Sequence, residues 1–206
     1  MGGMGKWLLL LAGCVNLHGQ YTAQRIGAPP STLPPAVKEK LQQKGFRIMH
    51  DGSPYCDVWL RAEVLAATPH SETSVTLTSI PAGLLLGVVR FEQDATDQKG
   101  QPIHAGIYTA RYSVMPRNEA HLGAARGRDF LALVPVEDDR NPNSVPSFDA
   151  LVAMSTKTSR SPHPLVLNIR RAEADSPGFS QRGDEWVLQD KTGDIPVEIV
   201  VAPGLP

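Results

Sequence analysis

Cysteine is nearly absent: the 206-residue chain has two, Cys14 and Cys56. One possible pair is not the disulfide framework that staples small secreted domains, so the fold has to rest on a packed core. Neither sign of charge is in excess, with 20 Lys and Arg against 21 Asp and Glu and a formal net charge of -1. No basic cluster is interleaved with aromatic residues, which make up only 6% of the chain. Nothing therefore draws the chain to nucleic acid or to acidic lipid. No apolar run reaches the roughly 20 residues that a membrane-spanning helix needs. The short catalytic signatures are missing too: there is no G-x-S-x-G elbow, S-x-x-K, H-E-x-x-H, Walker loop or dinucleotide fingerprint. That removes the motif arguments for an enzyme while leaving open a site assembled only on folding.

Glycine and proline, by contrast, are plentiful at 18 each, and they cut the chain into short pieces that favour strands over long helices. With 41% hydrophobic residues the composition is that of an ordinary globular domain. Residues 1–19 are set apart. "MGGMGKWLLLLAGCVNLHGQ" has one cation at Lys6, then an apolar stretch from Trp7, then small residues, the order of a secretory signal. Leu11-Ala12-Gly13-Cys14 also resembles the bacterial lipobox, in which the cysteine is acylated and becomes the new amino terminus. The alternative is an ordinary signal cut near residues 14 to 20. Both imply export, to the periplasm or the cell surface. Either way Cys56 loses its only partner, and its alternation with Val58 and Leu60 predicts a small, inert core residue.

Residues 20–34, "QYTAQRIGAPPSTLPP" up to its last proline, read as a Pro-rich tether, and 35–206 as a single β-rich domain. "PPAVKEKLQQKG" predicts one short helix, with Pro35 in its first turn and Gly45 as its stop. Period-two patterning then predicts strands at 46–50, 56–61, 74–79, 84–91, 106–115, 129–136, 164–169, 185–189 and 195–202. Only "SFDALVAMSTKTS" (147–159) interrupts them, with Phe148, Leu151, Val152 and Ser155 at helical spacing and Ser147 as the cap. The fold class expected is all-β: a two-sheet β-sandwich or barrel of about nine strands, with one or two short peripheral helices.

The runs "LLGVVRF", "GQPIHAGIYTARYSVMP", "HLGAARGRDFLALVP" and "HPLVLNI", in that order, resemble an uncharacterised family of secreted bacterial proteins. The likeness spans roughly residues 35 to 202, and G-x-Y-T-x-R-Y … H-L-G … R-D-F is its most specific part. It implies export and a single domain, and no activity. The turn before His121, "PRNEAH", departs from the family's Asp- and Gly-rich turn.

"EAHLGAARGRDF" (119–130) gathers the best candidate side chains, His121, Arg128 and Asp129, between two predicted strands. If those strands form a hairpin, these three lie at one end of the sheet. His104, Asp94 and Asp97 then lie at the other, because a ten-residue strand of roughly 33 Å separates its ends. His121 at a sheet end could bind metal or move a proton near neutral pH. The competing reading is that Arg128 and Asp129 fix the loop by charge-assisted hydrogen bonds. Arg111, mid-strand, has to be solvated or paired, so an exposed face is expected, with Asp129 across the hairpin as the alternative partner. In "EDDRNPNS", Asp139, Asn141 and Asn143 alternate as in a calcium loop. That loop would need Gly where Ser144 stands and Glu where Ala150 stands, and Asn-Pro-Asn is also ordinary turn chemistry. His163, between two prolines, reads as part of a rigid turn. Tyr108, Tyr112, Trp59 and Trp186 read as core before they read as a sugar-binding face.

The function expected is that of an exported cell-envelope domain with a binding or structural role. His121, Arg128, Asp129 and Arg111 are the ligand-binding candidates and Cys14 the lipidation site. The partner would be an envelope protein or glycan, not nucleic acid, with the membrane reached only through the lipid anchor. No cofactor is expected. The alternative is a metal-dependent enzyme in which His121 and other folded-in ligands converge within about 2.0–2.2 Å of a divalent ion.

Overall fold

A computed structural model describes residues 20–69, 71–97, 99–116, 127–159 and 161–203. Cys14 and His121, and with them the segment expected to hold the signal and the anchor, lie outside the described residues. The described residues are predominantly β, 45% strand and 9% helix. In order the elements are β1 (Tyr21–Ile26), α1 (Pro35–Lys38), β2 (Gly45–His50), β3 (Ser53–Leu60), β4 (Leu85–Phe91), β5 (Ala95–Thr96) and β6 (Pro102–Ile103). Then come β7 (Gly106–Val114), β8 (Asp129–Pro135), α2 (Phe148–Ser159), β9 (Val166–Arg171), β10 (Gly178–Arg182), β11 (Glu185–Thr192) and β12 (Ile195–Pro203). No helix among the described residues is long and apolar enough to cross a membrane.

Ten strands form one antiparallel sheet in the order β1-β2-β3-β4-β7-β8-β9-β12-β11-β10. The second sheet is only the two-stranded β5–β6 ribbon. Because the last three strands run back in reverse order, β10 comes round beside β1 and the sheet nearly closes. Side chains span the seam. The Tyr21 and Trp186 rings sit 5.6 Å apart, Arg25 pairs with Asp190 at 3.6 Å, and Gln42 Nε2 donates to the Lys191 carbonyl at 2.6 Å.

Period-two alternation builds the inner face. Cys56, Val58 and Leu60 of β3, Tyr108, Ala110 and Tyr112 of β7, and Val197, Ile199 and Val201 of β12 all enter one apolar core. Burial of each large member contributes about 1.5–3 kcal/mol. The outer face is covered in patches. Leu33, Val37 and Leu41 pack on Trp59, Leu85 and Val88, and Trp59 Nε1 donates to the Gly27 carbonyl at 2.8 Å. α2 lays Phe148 and Leu151 on Phe130, Ala132 and Val166. Ser147 Oγ accepts the Ala150 N–H at the helix start, as its sequence position predicts. Ser155, fully buried, ties the helix down by donating to the Leu133 carbonyl and accepting the Leu165 N–H.

Three local expectations change. Residues 21–26 lie in the expected tether but form β1, paired with β2 from Tyr21↔His50 to Ile26↔Gly45. α1 has only four residues, because the chain leaves it for the sheet: Leu41 bridges to Arg61, and Gln42 N–H donates to the Leu60 carbonyl. Segment 74–79 alternates like a strand yet is a run of turns with Ser74 at φ 63°, and its Leu77 is in the core.

Candidate functional site

β7 and β8 pair as the expected hairpin, with Val114 opposite Asp129 and Arg111 opposite Ala132. The register separates the candidates by face. Asp129 shares parity with the inward Leu131 and Leu133, and Arg111 with the outward Thr109. An Arg111–Asp129 pair is thereby ruled out, and so is an exposed Arg111, which is fully buried.

The outer face of β7 is roofed by the turn after β8. Asp139 reaches back over it as the acceptor of a two-pronged ion pair, Arg111 Nε to Oδ2 at 2.6 Å and Nη2 to Oδ1 at 2.8 Å. Nη2 also donates to the Asn141 carbonyl, and Nη1 donates to the carbonyls of Gly83 (2.8 Å) and Ser144 (2.7 Å). All five guanidinium N–H groups therefore have acceptors, the condition under which a fully buried arginine is tolerated. Thr109 donates its hydroxyl to Asp139 Oδ2 at 2.6 Å. Gly83 has φ 87° and packs so closely on Pro146 that a β-carbon would strike its carbonyl. Arg61 holds the same turn from the side, donating to the Pro142 carbonyl at 3.3 Å. The calcium-loop reading of Asp139, Asn141 and Asn143 gives way to this arrangement. Asp139 and the Asn141 carbonyl face a guanidinium, and Asn141 Oδ1 closes its own turn by accepting the Asn143 N–H.

At the inner end of the hairpin, Asp129 is buried and accepts from four donors. These are the Tyr112 hydroxyl (2.6 Å), the Thr76 N–H (2.7 Å), the Thr76 hydroxyl (3.0 Å) and the Leu77 N–H (3.4 Å). The carboxylate thus takes the backbone donors that 74–79 would have offered to a neighbouring strand. Burial, and then the bond to Asp129, push the Tyr112 hydroxyl far above its usual range. Arg128 turns outward, pairing with Glu72 and donating from Nε to the Met115 carbonyl at 2.7 Å. Asp129 thus holds segment 76–77 and Arg128 ties Glu72 to Met115, while 117–126, most of the loop the competing reading had them fix, lies outside the described residues.

His104 and Asp94 come together at the opposite end, with Nδ1 3.3 Å from Oδ2 on an exposed surface. The Ala105 N–H, and then His104, hold the Asp94 carboxyl below the ordinary range. Asp97 instead turns inward and closes its own loop, accepting from Lys99 N–H, Gln101 N–H and Gln101 Nε2. Among the described residues no three His, Cys, Asp or Glu side chains are grouped to hold a metal ion. Cys56 is buried, and burial pushes its thiol well above the usual value, in keeping with the inert reading. Tyr108, Tyr112 and Trp59 are core, while Trp186 is half-buried at the seam.

Two charge networks on the outer face escaped the sequence reading. Asp57, fully buried, accepts from Arg47 on β2 and Arg90 on β4, in register across three strands, and Glu92 bridges both arginines. Glu198, also buried, lies between Arg170 and Arg182 and accepts from Gln189. Alternation marks these residues as outward-facing, but only strand register brings them together. Comparison with models of known families, with curated proteins and with solved structures finds no match.

Proposed function

We propose that the chain is an exported cell-envelope domain, a barrel-type β-fold that binds or supports an envelope protein or glycan through loops at its Val114/Asp129 end. The observation that carries this reading is how Arg111, Arg128 and Asp129 are used. Their donors and acceptors are bonded inside the fold, where they shape and hold loops. Loops positioned by a rigid scaffold are where binding residues concentrate. Export is supported by Lys6, the apolar stretch from Trp7 and the Leu11–Cys14 sequence. Grouping with the uncharacterised secreted bacterial family rests on the G-x-Y-T-x-R-Y, H-L-G and R-D-F runs.

The test is the metal content of the mature chain, made without a His tag, beside a His121→Ala variant, together with fractionation of cells expressing the full chain. The expected result is envelope localisation and no stoichiometric metal in either protein. Stoichiometric metal that disappears in His121→Ala would overturn the binding reading in favour of a metal-dependent enzyme.

A further inference from the structure

We propose that the sheet end at Tyr21 is the end held against the lipid surface, so that the Val114/Asp129 end stands away from the bilayer and faces the partner. This rests on the reading of Cys14 as an acylated anchor. Had residues 20–34 been a free tether, an anchor at Cys14 would have left orientation open. Instead β1 begins at Tyr21, and the residue before it is already fixed: Gln20 N–H donates to Asp51 Oδ1 at 2.9 Å, and the Asp51 N–H donates to the Gln20 carbonyl at 3.1 Å. Seven Cα steps separate Cys14 from Tyr21, and at roughly 3.3–3.6 Å each a fully extended chain covers at most about 25 Å.

Strand directions define what lies at that end. Tyr21 pairs with His50, so the His50–Ser53 turn is there, as are the start of β7 and the β10–β11 turn between Arg182 and Glu185. Tyr21 and His50 stack at 4.2 Å beside Trp186, and all three rings are half-buried, leaving part of each at the surface, with the tyrosine and tryptophan suited to the headgroup boundary. The opposite end carries the Val114/Asp129 hairpin end, Arg61 and the β11–β12 turn at Gly193 and Asp194, with the Gly193 N–H donating to the Arg61 carbonyl. A nine-residue strand such as β7 puts about 30 Å between the ends. At the base Asp51 and Asp94 stand beside His50 and His104, and Arg182 is paired with Glu198, so the acyl chains rather than a basic cluster are assigned the binding.

The test uses the full chain, processed in cells and reconstituted in phosphatidylethanolamine vesicles containing phosphatidylglycerol and a nitroxide-bearing lipid. A fluorophore is placed on Ser53→Cys at the base or on Asp194→Cys at the far end, both exposed. Gln181→Cys serves as a second base position, and buried Cys56 is left in place. Quenching several-fold stronger at 53 and 181 than at 194 is expected, together with loss of vesicle binding in Cys14→Ser. Mass measurement of the amino terminus separates the two ways to fail. An unacylated Cys14 overturns the anchor and the proposal with it. An acylated chain with equal quenching at both ends overturns the orientation alone.

Discussion

Along β7 the two faces of one strand meet different surroundings, and both are buried. Inward, Tyr108, Ala110 and Tyr112 enter an apolar core where contact area does the stabilising. Outward, Thr109 and Arg111 meet Asp139 and a ring of backbone carbonyls, where desolvation is offset only if each polar group finds its partner. The inner face should therefore tolerate apolar exchange of similar volume. The outer face should not tolerate loss of a single partner.

The largest effect expected on this contrast is at the outer face. Asp139→Leu leaves the Arg111 charge buried and unpaired and should cost about 3–5 kcal/mol in urea unfolding. Tyr112→Phe, on the inner face, removes one of the four donors to Asp129 and keeps the packing. A loss of about 1–2 kcal/mol is expected, and a loss as large as that of Asp139→Leu would break the comparison. The Asp57 network should give less. Arg90→Met removes one part-exposed arginine but leaves the buried Asp57 with its two bonds from Arg47, so about 1 kcal/mol is expected.

The smallest effect is a titration. The folded-state pKa of Asp94 is lowered, so its contribution is complete above the ordinary carboxyl value and is lost as pH falls through the lowered folded value. His104→Ala should move its midpoint, followed by NMR, part of the way back up. The Ala105 N–H should keep it from returning fully.

Alternation and turn chemistry made most of the strands legible, and the cap at Ser147 with the 148, 151, 155 spacing made α2 legible. What misled was local pattern that tertiary partners override. Segment 74–79 alternates as a strand does, but Asp129 takes its Thr76 and Leu77 N–H groups. β1 and β10 are short, polar edge strands with a single partner each, so little hydrophobic pattern marks them. For Arg111, the sequence showed that a mid-strand charge needed solvent or a partner. It could not show a partner 28 residues on, delivered by a turn that folds over the sheet. Asp139 was visible in "EDDRNPNS", but as turn chemistry rather than as a counter-ion.

The most direct test of the claim that β7's outer face is held by Arg111 and Asp139 is a double-mutant cycle in equilibrium unfolding, with Arg111→Met, Asp139→Leu and both together. The double variant should be less destabilised than the sum of the singles by about 2–3 kcal/mol, because neither charge is then left unpaired. Strict additivity of two small losses would contradict the account and return Arg111 to the exposed face.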